Sequence, residues 1–329
     1  MAGIPFVEAL DNVGYGTVTR LSPLVARVIA DNPSKFTYKG TGTYIIGRER
    51  GEVVVVDPGP RIETHRIALE RALKGCTVRG IIVTHCHSDH VPLSHWLAEE
   101  TEAPTYGFGP HPRPEPTDAF DDDPDDTDDD VPTGSGDGEE REHTDYDFHP
   151  DVQVKDGERF LGVDDWSLTA VHTPGHTSNH LCVHLDAENA LFTGDHIMGW
   201  STTVVSPPDG NMADYMRSVR KLIDRNDTTL YPTHGNPVRD PAPFLLAYLE
   251  HRVERENQIV RLLAEGPNTI RRIVEVLYVD VRRELHKPAR RSVLSHMLKL
   301  FDEGVVTTVA GDRPSMRATW VLCDTKVPQ

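Results

Sequence analysis

The stretch Thr84-His85-Cys86-His87-Ser88-Asp89-His90 constrains this chain more than any other. It follows the apolar run Gly80-Ile81-Ile82-Val83 and precedes the helical pattern Val91-Pro92-Leu93-Ser94-His95-Trp96-Leu97. A buried strand therefore ends, and a helix begins, where three imidazoles and a carboxylate crowd together. In an extended segment His85 and His87 alternate and point the same way, while Cys86 points the other way. Asp89 and His90 follow the turn and can face a second ion, about 3.5–4 Å from the first. Neutral imidazole and carboxylate suit zinc, and manganese or ferrous iron accepts the same donors.

Three later segments supply further donors. His176 lies in Thr173-Pro174-Gly175-His176-Thr177, Asp195 in Leu191-Phe192-Thr193-Gly194-Asp195-His196, and His234 in Tyr231-Pro232-Thr233-His234-Gly235. Each follows a short β-like run and sits beside Gly or Pro. Strand-end loops of this kind carry side chains into clefts.

The ordered set His85, His87, Asp89, His90, His176, Asp195 and His234 resembles the metallo-β-lactamase superfamily over residues from about 40 to 240. Asp57, at the end of Val53-Val54-Val55-Val56-Asp57, matches that family's aspartate behind the ligands. The resemblance implies an α+β fold, a four-layer αββα sandwich with two metal ions, zinc above all, at one edge. Carried over residue by residue, His85, His87 and His176 would hold one ion and Asp89, His90 and His234 the other, with Asp195 bridging. Asp89 and Asp195 would then be the catalytic carboxylates, and Asp57 would orient a ligand histidine. A water shared by two such ions has its pKa lowered towards 7, and the bridging hydroxide attacks esters, thioesters, lactams and phosphodiesters alike. The motif thus implies hydrolysis and leaves the substrate open.

Charge narrows the rest of the chain. The formal net charge is −18, but residues 111–149 hold sixteen Asp/Glu and two Arg, a net of −14. That tract, with Asp121-Asp122-Asp123-Pro124-Asp125-Asp126 at its centre, offers little apolar surface to offset ordering entropy and reads as a disordered insertion. Cys76, Cys86, Cys182 and Cys323 show no C-x-x-C pair and no disulfide pattern. Met1-Ala2-Gly3-Ile4-Pro5 lacks the basic and apolar regions of an export signal, and no apolar run is long enough to span a membrane. The expectation is a reduced cytoplasmic protein without a membrane partner.

From about Phe244 the pattern changes. A long helical stretch, Leu245 to Leu263, is followed by helices over Thr269 to Tyr278 and Ala289 to Glu303, then by Val305 to Val309 and Ala318 to Leu322 as a hairpin. This order resembles a winged helix, so we divide the chain into a catalytic domain, 1–245, and a winged-helix domain, 246–329. Residues 251–329 carry a net charge of +4, and Arg290, Arg291 and Lys299 on the third helix are candidate nucleic-acid contacts. Ser206-Pro207-Pro208-Asp209-Gly210 and His251-Arg252-x-x-Arg255-Glu256, with the winged helix, resemble the β-lactamase-like protein 2 group, whose members include a single-strand-specific endoribonuclease. The two substrate readings are single-stranded RNA and a small-molecule thioester, lactone or β-lactam. A third reading is a non-enzymatic regulator using the winged helix, against which the full ligand set argues. A dimer is compatible with these features, which do not define an oligomeric state.

Overall fold

The computed structural model describes residues 10–11, 13–115, 117, 119–120, 144–163, 165–279 and 285–323. The first sheet contains β1 (Thr19–Arg20), β2 (Val25–Ile29), β3 (Gly42–Gly47), β4 (Glu52–Val56), β5 (Thr77–Ile82), β6 (Thr105–Gly107) and β7 (Val152–Gln153), laid side by side in chain order. Pairing is antiparallel from β1 to β4 and parallel from β4 to β7. The helices α1 (Glu63–Ala72) and α2 (Pro92–Thr101) connect the parallel strands. The second sheet has the order β12-β11-β10-β9-β8 and contains β8 (Arg159–Val163), β9 (Trp166–His172), β10 (Leu181–Leu185), β11 (Ala190–Gly194) and β12 (Thr229–Pro232). Between β11 and β12 runs α3 (Met212–Ile223), and after β12 comes α4 (Pro241–Ala264).

The period-2 alternation of the strands assigns their faces. On β4, Val54 and Val56 point into the layer between the sheets, where they meet Leu168, Ala170, Leu181, Val183, Phe192 and Tyr231. Val53 and Val55 point outward and pack with Ala68 and Leu69 of α1 and Leu93 and Leu97 of α2. All four valines are buried, each stabilising the fold by about 1.5–3 kcal/mol. The outer face of the second sheet, with Val171, Cys182, Leu191 and Leu230, is covered by Tyr215, Met216 and Val219 of α3 and by Phe244, Leu245 and Tyr248 of α4. Helix, sheet, sheet, helix is the four-layer sandwich anticipated above.

The C-terminal elements are β13 (Asn268–Thr269), α5 (Ile270–Leu277), α6 (His286–Asp302), β14 (Val306–Thr308) and β15 (Thr319–Leu322), with the small sheet ordered β13-β15-β14. Ile259 and Leu263 of α4 join Ile270, Ile273, Val293, Met297 and Trp320 in a separate core. This is a winged helix, with β14 and β15 as the wing. The helix α4 runs without a break through the 245/246 boundary drawn from sequence, serving one core at its start and the other at its end.

The acidic tract is more structured at its edges than its composition suggests. Phe148 is buried with Val83, Cys86 and Val91 under the metal-ligand motif. Asp145 N–H donates to the Cys86 carbonyl, and Thr144 forms a bridge to His87. On the other edge, Ala119 accepts from Met316 N–H, and Phe120 packs against the winged-helix core. Disorder over the whole of 111–149 is therefore corrected at both ends: a few aromatic anchors outweigh the local charge. Residues 121–143 lie outside the described residues, as do residues 1–9.

Among the described residues, no helix is long and apolar enough to cross a membrane. The four cysteines are all free thiols.

Candidate metal centre

All seven candidate donors stand at the ends of strands, on one edge of the sandwich. The stretch after β5 brings His85, His87, Asp89 and His90, and the β9–β10 loop brings His176. Asp195 follows β11 and His234 follows β12. Two glycines make the approach feasible. A Cβ on Gly175 would stand 2.3 Å from Tyr215 Cα. A Cβ on Gly194, whose φ is +49°, would stand 2.6 Å from His180 Nε2 and 2.8 Å from Thr84 Oγ1. Only glycine lets the backbone pass these contacts just before His176 and Asp195.

The donor atoms form two groups. His85 Nε2 lies 2.9 Å from His87 Nδ1, which lies 3.2 Å from His176 Nε2. Asp89 Oδ2 lies 3.3 Å from His90 Nε2 and 3.2 Å from His234 Nε2. Asp195 stands between them. Its Oδ1 is 3.6 Å from His90 Nε2 and 3.3 Å from His234 Nε2, and its Oδ2 is 4.0 Å from His176 Nε2. Donors arranged tetrahedrally at about 2.0–2.1 Å from a zinc ion are about 3.3 Å apart, close to these separations. The chemistry of the set fits as well: His90 Nε2 and Asp195 Oδ1 are buried without any hydrogen-bond partner, in positions a cation would satisfy. The triads His85/His87/His176, His85/His90/Asp195 and Asp89/His90/His234 each keep their donor atoms within 4.8 Å of one another and could hold a metal ion.

Hydrogen bonds behind the ligands select the tautomers. His90 donates through Nδ1–H to Asp57 Oδ2 at 2.9 Å, leaving the Nε2 lone pair facing inward. His176 donates through Nδ1–H to the Val204 carbonyl at 2.7 Å, and His234 through Nδ1–H to the Gly40 carbonyl at 3.2 Å. The Thr84 hydroxyl donates to Asp57 Oδ2 at 2.9 Å and accepts from His85 Nδ1–H at 3.1 Å. Asp57 also accepts from Thr84 N–H at 2.9 Å and from the Thr233 hydroxyl at 3.3 Å. Thr41 donates to Asp89 Oδ2 at 2.9 Å, and Asp195 N–H donates to His180 Nε2 at 3.2 Å. Thr41, Thr84, Thr233 and the carbonyls of Gly40 and Val204 were not singled out by sequence reasoning. A threonine immediately before a ligand histidine, at 84 and again at 233, was the visible signal.

Electrostatics differ between the two groups. Burial, then neighbouring imidazoles, pushes His85 well below its ordinary value, and burial with His176 lowers His87 to about 3. His176 is lowered by burial as well. This favours the neutral imidazole, the form that can offer a lone pair to a cation. Around the second group burial opposes ionisation, but Asp89, Asp57 and Asp195 outweigh it and hold His90 well above its ordinary value. Burial likewise pulls His234 down, yet Asp195 and Asp89 raise it to about 10. The carboxyls of Asp89 and Asp195 resist the upward pull of burial and fall well below their usual range, held by His90 and His234. Without a cation this half of the site gathers protons, and a divalent ion would displace them.

A cavity of about 220 Å³ opens beside His87 and His176. Its walls include His111 and Tyr146 from the two edges of the acidic tract, with Val204, Ser206 and Pro208 opposite. His111 Nε2 pairs with Asp209 at 3.4 Å, and its ring meets Tyr146 edge-on at 5.3 Å.

The winged helix presents its candidate nucleic-acid contacts poorly. Arg290 is 7% exposed, against the core of its own domain. Lys299 pairs with Glu256 at 2.9 Å and with Glu303 at 3.0 Å. Ser292 and Ser295 are buried, and Arg291 is half-buried. The helical period turns Arg290 inward and engages Lys299 with two glutamates, so neither presents its charge openly on the surface.

A model of the metallo-beta-lactamase superfamily matches residues 40–234, and one of the beta-lactamase associated winged helix domain matches residues 269–320. The chain is 30% identical over 296 residues to a Beta-lactamase-like protein 2 homolog of Caenorhabditis elegans, covering 88% of each. It is 29% identical to an Atrochrysone carboxyl ACP thioesterase of Claviceps purpurea, covering 90% of this chain and 83% of that one. In fold it is similar to a Beta-lactamase domain protein from Burkholderia ambifaria, with a TM-score of 0.71, 21% identity, and coverage of 98% and 97%.

Proposed function

We propose, from the premise that the chain belongs to the metallo-beta-lactamase superfamily of hydrolases, that it is a dinuclear zinc hydrolase of small acyl thioesters. The observation that supports the metal reading is the convergence of seven donors, four of whose histidines, His85, His90, His176 and His234, are tied back through Nδ1 so that Nε2 faces inward. His85, His87 and His176 would hold one ion, Asp89, His90 and His234 the other, and Asp195 would serve both. When bound, such a pair supplies an activated water at neutral pH and neutralises charge on the reacting oxygen. Manganese or ferrous iron would satisfy the same donors less selectively.

The chain's own residues have distinct duties. Asp57 and Thr84 keep His90 and His85 in the tautomers that leave Nε2 unprotonated. Asp89 is the most exposed of the donors on the second side, with 15% of its side chain accessible, so it can orient a water and take a proton from it. The cavity beside His87 would seat the acyl group, with Val204 and Pro208 as apolar walls and Tyr146 at the rim. Attack on the thioester carbonyl forms the carboxylic acid and expels the thiolate, which takes up the proton released from water.

The thioester class rests on the size of that cavity and on the similarity to chains named as ACP thioesterases. Single-stranded RNA fits less well, because Arg290 and Lys299 are committed within the protein and, among the described residues, the cavity wall carries Asp209 and no Lys or Arg. In this reading 1–245 is the catalytic unit and 246–329 a packing unit, working in a reducing cytoplasm. The test is a panel of acyl thioesters, lactones, a chromogenic β-lactam and labelled single-stranded RNA, with and without chelator. Chelator-sensitive turnover of thioesters supports the proposal. RNA cleavage without thioester turnover replaces it with the nuclease reading, and no turnover of any class overturns hydrolysis of these substrates.

A further inference from the structure

We propose that Arg252 of α4 is a positioning residue for the metal centre, acting through the loop from Asp195 to Val204. The proposal rests on the ligand roles of Asp195 and His176 given above. Arg252 is 4% exposed and, among the described residues, makes no ion pair with a carboxylate. Burying a guanidinium this way is costly unless its hydrogen bonds accomplish something. Its Nη2 donates to the Thr203 carbonyl, and its guanidinium carbon lies 5.1 Å from the centre of the Tyr215 ring.

Thr203 is the hub of the loop. Its hydroxyl donates to the Asp195 carbonyl at 2.8 Å and lies 3.1 Å from the His196 carbonyl. Tyr215 also donates to the His196 carbonyl, at 2.9 Å. The next residue, Val204, provides the carbonyl that takes Nδ1–H of His176. A single peptide segment therefore fixes the backbone of the bridging aspartate and the tautomer of a histidine ligand, and Arg252 holds that segment from behind. The planar fork of arginine suits a carbonyl beside an aromatic face; the point charge of lysine does not reproduce it.

The same face of α4 continues in both directions at a spacing of one helical turn. One turn before Arg252, the Tyr248 hydroxyl donates to the Ser201 carbonyl, lies 3.0 Å from the Met198 carbonyl and accepts from Met198 N–H at 3.2 Å, all in the same loop. One turn after it, Glu256 accepts from His296 Nδ1–H at 3.1 Å and from Lys299 at 2.9 Å, both on α6. Ile259 and Leu263 then enter the winged-helix core. The winged helix thereby clamps the helix that carries Tyr248 and Arg252.

The test uses the full-length protein with cobalt(II) as the probe metal, titrated against a competing chelator and followed by visible absorption. Arg252→Lys and Thr203→Val are compared with wild type and with Ile273→Ala, which weakens the winged-helix core without touching the loop. Cobalt affinity should fall at least about tenfold in both loop variants, with an altered absorption band, as for other residues that orient metal ligands. Ile273→Ala should lower the melting temperature and leave the band unchanged. In the thioesterase assay, kcat should fall more than KM rises for Arg252→Lys. Unchanged affinity and band in either loop variant overturns the proposal, and so does an equal loss in Ile273→Ala, which would make the effect one of general stability. Should Arg252→Lys fail to fold, Thr203→Val decides alone. A wild-type protein that binds no cobalt overturns the ligand reading, and the positioning role falls with it.

Discussion

Asp57→Asn is the most informative single substitution. Four donors converge on this buried carboxylate: Thr84 N–H, the hydroxyls of Thr84 and Thr233, and His90 Nδ1–H. Its backbone φ of +48° is in the left-handed region, which asparagine also tolerates, so the change is confined to the side chain. The remaining amide oxygen can still accept from Thr84 N–H, and the two hydroxyls can rotate. The amide NH₂ then faces His90 Nδ1, where two donors cannot coexist. His90 relieves the clash by moving its proton to Nε2, the atom 3.3 Å from Asp89 and 3.6 Å from Asp195. A proton there blocks one ligand position of the second site only. Losing one charge-assisted hydrogen bond costs about 1.5–3 kcal/mol, about 3–12 °C in melting temperature for a domain this size. Affinity for the second ion should fall by about 10–100-fold, while His85, His87 and His176 keep the first. Isothermal titration of metal-free protein with zinc measures both affinities at once. Two tight sites in Asp57→Asn, or loss of both together, would refute the tautomer argument.

Further substitutions test the other parts of the account. Asp195→Ala should empty both sites, because its two oxygens face different donor groups, and elemental analysis after dialysis reads the loss directly. Replacing residues 121–143 by a short Gly/Ser linker should leave the melting temperature within a few degrees, whereas Phe148→Ala, at the buried edge of the tract, should cost about 3–5 kcal/mol in chemical denaturation. His184 pairs with Asp186 and Asp227, and although burial lowers its pKa, these carboxylates raise it overall above the ordinary value of 6.5. Its stabilising contribution is therefore complete below pH 6.5 and is lost as pH rises through the raised value. His184→Gln should destabilise the protein more at pH 6 than at pH 9 in parallel thermal melts.

The clustering of the seven candidate donors was legible because four of them lie within six residues, and the rest sit beside glycines that a close approach explains. The sandwich was legible for a related reason: Val53 to Val56 is apolar on both faces, as a covered strand must be. The strand β8 was not legible, since it is a half-exposed edge strand whose register with β9 is broken by a bulge. Thr41 and the Val204 carbonyl could not be read because their roles are made by contacts distant in sequence. Phe120 and Phe148 were hidden by the acid around them, although two aromatic anchors suffice to fold the ends of the tract. For Arg290 and Lys299 composition gives only a basic helix, whereas the packing of α6 turns Arg290 inward and pairs Lys299 with Glu256.

The central claim is that two metal ions share Asp195. Anomalous diffraction above and below the zinc absorption edge, from crystals of zinc-loaded full-length protein, tests it directly. The account predicts two anomalous peaks per chain about 3.5–4 Å apart, one amid His85, His87 and His176, the other amid Asp89, His90 and His234, with the Asp195 carboxylate between them. A single peak, no peak, or a second peak away from Asp195 would contradict it.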